Sequence, residues 1–209
     1  MMKSEVITRE TIAEAMSYDA YRSFIQERLA NNQSTGTNHS EAMVGYTTLN
    51  DKRMKRLDKT TKLDADTITA LENIKQHQIW LVLTEGWCGD AAQTVPLMAK
   101  MAAATDKVTL RLILRDTHLD IMDAFLTNGG RSIPKLIVLD EATLEVLGSW
   151  GPRPKAAQQL FLEAKAKPDF NYPQLQKDLQ LWYTKDKSVS TQKEIVELIT
   201  QAALTLIED

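Results

Sequence analysis

Residues 79–90 have the sequence Ile-Trp-Leu-Val-Leu-Thr-Glu-Gly-Trp-Cys-Gly-Asp, which indicates the fold class more clearly than any other segment. Its first five residues are apolar and predict a short buried strand. A turn containing Gly86 and Gly89 follows, and residues 91–103 are rich in helix-forming side chains. A buried strand that leads at once into a helix is typical of the first half of an α/β unit.

The segment after this helix continues the alternation of strands and helices. A second apolar run predicts a strand at residues 108–114, and the next helix is expected to end at a cap formed by residues 128–130, Asn-Gly-Gly. Residues 136–139 and 144–147 predict an antiparallel hairpin, and residues 155–165 predict a helix. The sequence therefore predicts an α/β fold with a central mixed four-stranded sheet flanked by helices.

Helices are also predicted on both sides of this unit. Residues 8–31 carry apolar side chains at intervals of three and four, which indicates one or two amphipathic helices. The same periodicity predicts helices at residues 49–57, 66–76 (with Asp66 as the cap), 175–183 and 191–208. We therefore expect an N-terminal helical extension (1–77), an α/β domain (78–167) and a C-terminal helical extension (168–209) packed on the domain.

Composition and charge exclude several classes of protein. The 209 residues, 43% of them hydrophobic, are enough for one sizeable core. The 25 basic and 28 acidic residues give a net charge of −3, so no nucleic-acid partner is expected. Residues 51–59 are rich in Lys and Arg, but aspartates and apolar residues interleave with them, which is typical of a solvated helix face.

No membrane or export segment is evident in the sequence. No stretch approaches the roughly 20 apolar residues of a membrane span, and residues 1–10 lack the apolar run of a secretory signal. We therefore expect a cytoplasmic protein with no membrane partner. The chain has one cysteine, Cys88, so any disulfide must join it to another molecule.

Three short motifs, in this order along the chain, resemble the thioredoxin superfamily, and bacterial thioredoxin-like proteins in particular. The first is Trp87-Cys88-Gly89-Asp90-Ala91, which resembles the W-C-x-x-C redox site between a strand and a helix. The second is Pro96, eight residues after the cysteine, and the third is Arg131-Ser132-Ile133-Pro134, which resembles the segment with the cis-proline. The resemblance implies a thioredoxin-like fold with Cys88 as the attacking thiol and with Ile133 and Pro134 aligning the substrate.

Two departures from the family pattern restrict the chemistry. Ala91 stands where a dithiol enzyme has its second cysteine, and Val82 stands where thioredoxins place a buried aspartate that assists proton transfer. Alanine cannot resolve a mixed disulfide, so an outside thiol must do so. The resemblance therefore implies monothiol chemistry, with a protein disulfide or a low-molecular-weight thiol as partner.

Elementary electrostatics leaves the state of Cys88 open. A cysteine in the first turn of a helix faces free backbone N–H groups and the positive end of the helix dipole, which favour the thiolate. Asp90 opposes this effect because a nearby carboxylate repels the thiolate. Trp87 and Gly89 make the surroundings those of a turn, so we expect an accessible thiol; the alternative is a buried cysteine that acts as a small apolar side chain.

Arg115 and Asp116 follow the second strand and are expected at the same edge of the sheet as Cys88. Arg115 would favour a thiolate or an anionic ligand there. The alternative is that both residues are solvated surface charges, with Asp116 capping the next segment.

Three functions follow from these patterns. The first is a monothiol thiol–disulfide oxidoreductase acting through Cys88, and the second is a catalytically inactive thioredoxin-fold binding module. The third is a thiol redox or peroxide sensor. No cofactor is expected beyond a low-molecular-weight thiol as co-substrate, and the histidines lack metal-ligand spacing, so no metal site is predicted. The helical extensions offer a route to a homodimer, which the sequence leaves open.

Overall fold

The central element of the fold is one mixed sheet. The computed structural model describes residues 2–3 and 6–205, and the side chains of residues 6–201. Within these residues the sheet has the order β1-β5-β4-β2-β3, with β2 and β3 parallel and the other pairs antiparallel. The strands are β1 (Met2–Lys3), β2 (Gln78–Thr84), β3 (Val108–Leu114), β4 (Lys135–Asp140) and β5 (Glu145–Trp150). The predicted four-stranded mixed sheet is confirmed, and the two-residue strand β1 adds an edge that the sequence analysis did not predict.

Helices lie on both sides of the sheet. They are α1 (Arg9–Glu14), α2 (Tyr18–Ala30), α3 (Glu41–Thr60), α4 (Ala65–Glu72), α5 (Ala91–Ala102), α6 (Leu119–Ala124), α7 (Lys155–Lys165), α8 (Tyr172–Asp186) and α9 (Val189–Thr205). Pro96 lies inside α5, as the family resemblance implied. The predicted end of the last helix, residues 206–208, lies outside the described residues.

Several predicted helix boundaries are wrong: α3 begins at Glu41 where the periodicity predicted residue 49, and α4 ends at Glu72 where it predicted residue 76. Two further boundaries differ for local reasons. Helix α4 begins two residues earlier than expected, because Asp64 and not Asp66 is its cap: the Asp64 side chain accepts the N–H of Thr67 at 2.7 Å. Helix α6 ends at Ala124, because Asn128 and Gly129 both have positive φ and form a reverse turn instead of a helix cap. Reciprocal backbone hydrogen bonds of 3.0 Å between Thr127 and Gly130 close that turn.

The packing of the core brings the ends of three strands to one edge of the sheet. Strand β2 is buried over its whole length and lies between β3 and β4, while α5 packs against α3 and is almost entirely buried. Strands β2, β3 and β5 run in the same direction, so the segments after all three emerge at one edge. In the described part of the chain, no helix is both long enough and apolar enough to span a membrane.

Candidate functional site

Cys88 lies at that edge, between the end of β2 and the start of α5. Its Sγ accepts the backbone N–H of Ala91 at 3.5 Å, as expected for a side chain at a helix N-terminus. On its other side the thiol donates to the carbonyl oxygen of Ile133 at 3.3 Å. The Ile133–Pro134 peptide bond is cis. The structure therefore brings Cys88 and Ala91 together with Ile133 and Pro134. Cys88 and Ile133 are 45 residues apart in the sequence.

The thiol itself is buried and protonated. Burial raises the pKa of Cys88 to about 12, and the negative charge of Asp90 adds to the rise. The backbone N–H groups of Ala91 and Asp90 and the charge of Arg153 oppose it without cancelling it. Only 7% of Cys88 is exposed, so the expectation of an accessible thiol is wrong. Residues from distant parts of the chain cover the turn that contains the cysteine.

Asp90 is held by two side chains that the sequence analysis did not include. Arg153, just after β5, forms an ion pair with Asp90 at 2.6 Å, and Tyr183 of α8 donates its hydroxyl to the same carboxylate at 3.0 Å. Burial raises the pKa of Asp90, while Arg153 and Tyr183 lower it. The Asp90 side chain does not cap α5; it joins the turn that contains Cys88 to Arg153 after β5 and to Tyr183 of α8.

Trp87 and Arg115 contact each other beside Cys88, at the same edge of the sheet. The guanidinium carbon of Arg115 lies 4.8 Å from the centre of the Trp87 ring, a cation–π contact. Arg115 also forms an ion pair with Asp116 at 2.7 Å and donates to the carbonyl oxygen of Arg131 at 3.3 Å. Arg115 therefore reaches the site as proposed from its position after β3, and its charge is shared with Asp116.

A buried carboxyl group lies directly beneath this edge. Glu85 accepts a hydrogen bond from the hydroxyl of Thr35 and another from the backbone N–H of Asp116 at 3.1 Å. Burial raises the pKa of Glu85 to about 7, against the opposing effect of those two hydrogen bonds. Thr35 also accepts the N–H of Gly86 at 2.9 Å, so one side chain from the N-terminal extension positions the turn that leads to Cys88.

The Glu85→Gln variant is expected to remove a pH dependence of stability. The pKa of Glu85 is higher in the folded protein than in the unfolded chain, so the stability it contributes is present at low pH and is lost as the pH rises from about 4.5 to about 7. Relative to the variant, the free energy of unfolding of the native sequence should fall by about 3 kcal/mol over this range. Urea unfolding at pH 4.5 to 8 measures it. The exposed Glu14→Gln variant is the control, and parallel pH curves for the native protein and Glu85→Gln would contradict the prediction.

A cavity of about 400 Å³ opens above the thiol. Cys88 forms part of its lining, together with Trp87, Gly89, Asp90 and Ile133. The basic residues of the lining are Arg115, Arg131 and Arg153. A volume of this size is that of a small-molecule or peptide side-chain pocket. In the described residues no group of three or more His, Cys, Asp and Glu side chains is arranged to hold a metal ion.

The comparison with known families agrees with this geometry. A family model described as Thioredoxin matches residues 36–167, which is more than half of the chain. The chain belongs to this thioredoxin family. The match begins well before β2, so in this thioredoxin-family chain α3 and α4 belong to the matched region, although the sequence analysis assigned them to the N-terminal extension.

Solved structures share the fold over nearly the whole chain. One is an HIV epitope scaffold, 18% identical, with a TM-score of 0.59 over 91% of this chain and 96% of that one. Another is a protein of unknown function from Pseudomonas aeruginosa, 18% identical, with a TM-score of 0.55 over 90% of this chain and 99% of that one. At this identity the likeness concerns the fold alone. No curated protein matches the chain.

The sequence analysis of this thioredoxin-family chain missed Arg53, Arg153 and Tyr183. A signal for Arg153 was present, because β5 in the predicted hairpin runs parallel to β2 and so delivers the residues after it to the edge with Cys88. No such signal exists for Tyr183 of α8 or Arg53 of α3, because the docking of these helices is a tertiary property. The interpretation of residues 51–59 as a solvated face is wrong for Arg53, which lines a cavity beside Gly89.

Proposed function

We propose that this protein is a monothiol thiol–disulfide oxidoreductase that acts through Cys88. The observation that carries the proposal is the position of Sγ at the floor of the cavity, between the N-terminus of α5 and the carbonyl oxygen of Ile133 before cis-Pro134. An extended segment or small disulfide in the cavity would approach the sulfur there. The reaction consumes a thiol, so we place it in a reducing compartment such as the cytoplasm.

The chemistry takes two exchange steps. Cys88 loses its proton to solvent, and the thiolate attacks one sulfur of a protein or low-molecular-weight disulfide. One S–S bond forms and one breaks, and the departing thiolate takes up a proton. Ala91 cannot resolve the mixed disulfide, so an external low-molecular-weight thiol attacks it, regenerates Cys88 and leaves as a new disulfide with the substrate thiol.

A turnover assay tests this proposal. The assay contains a small disulfide substrate, reduced glutathione and a far smaller amount of the protein. We expect the protein to accelerate reduction of the disulfide, and a coupled oxidation of NADPH measures the rate. The Cys88→Ala variant is the matched control and should be inactive, because the chain has no other cysteine. Equal rates for the native protein and the variant would refute the proposal.

The reactivity of Cys88 should rise steeply with pH. Because burial and Asp90 raise the pKa of the thiol to about 12, the alkylation rate of the folded protein is expected to increase about tenfold per pH unit from pH 7 to pH 10. The rate of the protein in denaturant should flatten near pH 9, where a free thiol is ionised. Iodoacetamide labelling followed by intact mass spectrometry measures both. A folded-state rate that levels off near pH 8 is inconsistent with a buried, protonated thiol.

The burial of the thiol also favours a second candidate, a non-catalytic binding module. A cysteine that is protonated at neutral pH and has no second cysteine beside it is compatible with a cavity that only binds. In that case the turnover assay gives no acceleration, and Cys88→Ser binds the partner as well as the native protein does. In the oxidoreductase, the same substitution abolishes the covalent complex.

A further inference from the structure

The cavity over Cys88 continues into a second cavity of about 450 Å³. This second cavity lies between α3 and α8 and shares seven lining residues with the first, among them Trp87, Gly89, Asp90 and Arg153. We call the two together the α3–α8 cleft. The cleft lies between helices that flank the sheet, and its volume is large enough for a whole small molecule and not only for the group that reacts with the thiol.

Gly89, the residue after Cys88, lines both cavities. A Cβ atom at this position would lie 3.2 Å from Nε2 of Gln180 and 3.8 Å from Nη1 of Arg53. The residue next to Cys88 therefore has only hydrogen where other residues have a side chain, and the guanidinium of Arg53 lies directly across from it. The side chains of Gln180 and Arg53 both lie against Gly89, and Gln180 donates to the Gly89 carbonyl oxygen at 3.5 Å, so a ligand that extends from the sulfur to Arg53 passes alongside the Gln180 amide.

Arg53 is one of two cations of the cleft that form no ion pair among the described residues; the other is Lys177. Arg53 donates to the side-chain oxygen of Asn50 at 2.8 Å. Burial, together with the neighbouring charge of Arg56, lowers its pKa. A half-buried guanidinium without an anion is unfavourable, and an anionic ligand would offset that cost.

The remaining lining of the second cavity is aromatic and basic. Tyr46, Phe161 and Tyr172 contribute aromatic surface, and Lys177 adds a second cation without an ion pair in the described residues. The acidic residue of the lining, Asp90, is already neutralised by Arg153. The cleft therefore favours a small ligand that carries a carboxylate on a partly apolar body.

We propose that the α3–α8 cleft binds a carboxylate-bearing low-molecular-weight disulfide, with a sulfur at Cys88 and a carboxylate at Arg53. The assignment of the sulfur rests on the proposed function, since it requires Cys88 to exchange disulfides. The assignment of the carboxylate rests on Arg53, Gly89 and the shape of the cleft. The ligand class covers small disulfides formed by peptide-type thiols with free carboxylates, and not a protein disulfide.

The test compares two probes of opposite charge. Oxidised glutathione carries carboxylates and cystamine carries amines, and the rate of mixed-disulfide formation on Cys88 is followed with each by intact mass spectrometry. The Arg53→Gln variant is expected to react about fivefold more slowly with oxidised glutathione and no more slowly with cystamine. Arg56→Gln, on an exposed position of the same helix, is the matched control and should leave both rates unchanged.

A second measurement separates the failure of this inference from the failure of the proposed function. S-methylglutathione cannot exchange, so its binding to the Cys88→Ser variant, measured by calorimetry, reports the cleft alone. Binding that weakens about fivefold on Arg53→Gln supports the cleft even if Cys88 proves inert. Equal behaviour of Arg53→Gln and Arg56→Gln with both probes, or no binding of S-methylglutathione, overturns the inference, whether or not Cys88 exchanges disulfides.

Discussion

The Asp90→Asn variant is expected to alkylate at Cys88 about tenfold faster than the native protein at pH 8. Asp90 is the charge that raises the pKa of the thiol most after burial, and its removal leaves the positive charge of Arg153 to act on the sulfur. A fall of one pKa unit gives a tenfold larger thiolate fraction in this pH range. The same change leaves Arg153 partly buried without its counterion, so a loss of about 3 kcal/mol in stability should accompany it.

The measurement is native-state alkylation of Cys88 with iodoacetamide at a temperature where circular dichroism shows both proteins folded. Asp116→Asn is the matched control. Like Asp90, Asp116 pairs with an arginine, Arg115, at this edge of the sheet, but Asp116 does not contribute to the pKa shift of Cys88. The control should leave the alkylation rate unchanged. An unchanged rate in Asp90→Asn would mean that Asp90 does not govern the thiol.

The Gly151→Ala variant is expected to lose on the order of 3 kcal/mol of stability. Gly151 has a φ of +120°, a conformation that L side chains rarely adopt, and a Cβ atom there would overlap the carbonyl oxygen of Pro134. The clash is with backbone, which cannot move away as a flexible side chain can. Because Pro134 follows Ile133, whose carbonyl oxygen accepts from Cys88, and Gly151 lies two residues before Arg153, the same substitution should disturb both sides of the site.

Thermal and urea unfolding of the variant measure this loss. Gly45→Ala is the control: Gly45 lies inside α3, has no positive φ, and a Cβ atom there meets nothing within 4 Å. That substitution should leave the protein as stable or raise its stability by about 0.5 to 1 kcal/mol. If Gly151→Ala unfolds at the same urea concentration as the native protein, the close approach to Pro134 is not a constraint on the fold.

The strands of the sheet were predictable because their sequence signals are local. Strand β3 and helix α7 begin and end where the apolar runs and periodicity predict, and β2 extends the predicted run by one residue at each end. Helix boundaries were less predictable where the deciding contact was a single side chain, as with Asp64 at the start of α4. Strand β1 has two residues, too few to give a periodic pattern.

Only those residues of the candidate site that belong to short sequence motifs were predictable. The motif around Cys88 and the segment with Pro134 were identified by resemblance, and their contact through Ile133 is as the resemblance implied. The protonation of the thiol was not predictable, because it depends on burial and on the distant partners of Asp90. Tyr183 lies 93 residues away from Asp90 in sequence, and nothing in the periodicity of α8 indicates that its hydroxyl meets a carboxylate.

Disulfide exchange at Cys88 can be read from the mass of the folded protein after incubation with oxidised glutathione at pH 8. We expect a single glutathione adduct, which must be on Cys88 because the chain has no other cysteine, and its complete removal by an added thiol. We also expect that Cys88→Ser forms none. A native protein that stays unmodified until denaturant exposes the cysteine would contradict the account and would show that this member of the thioredoxin family does not exchange disulfides.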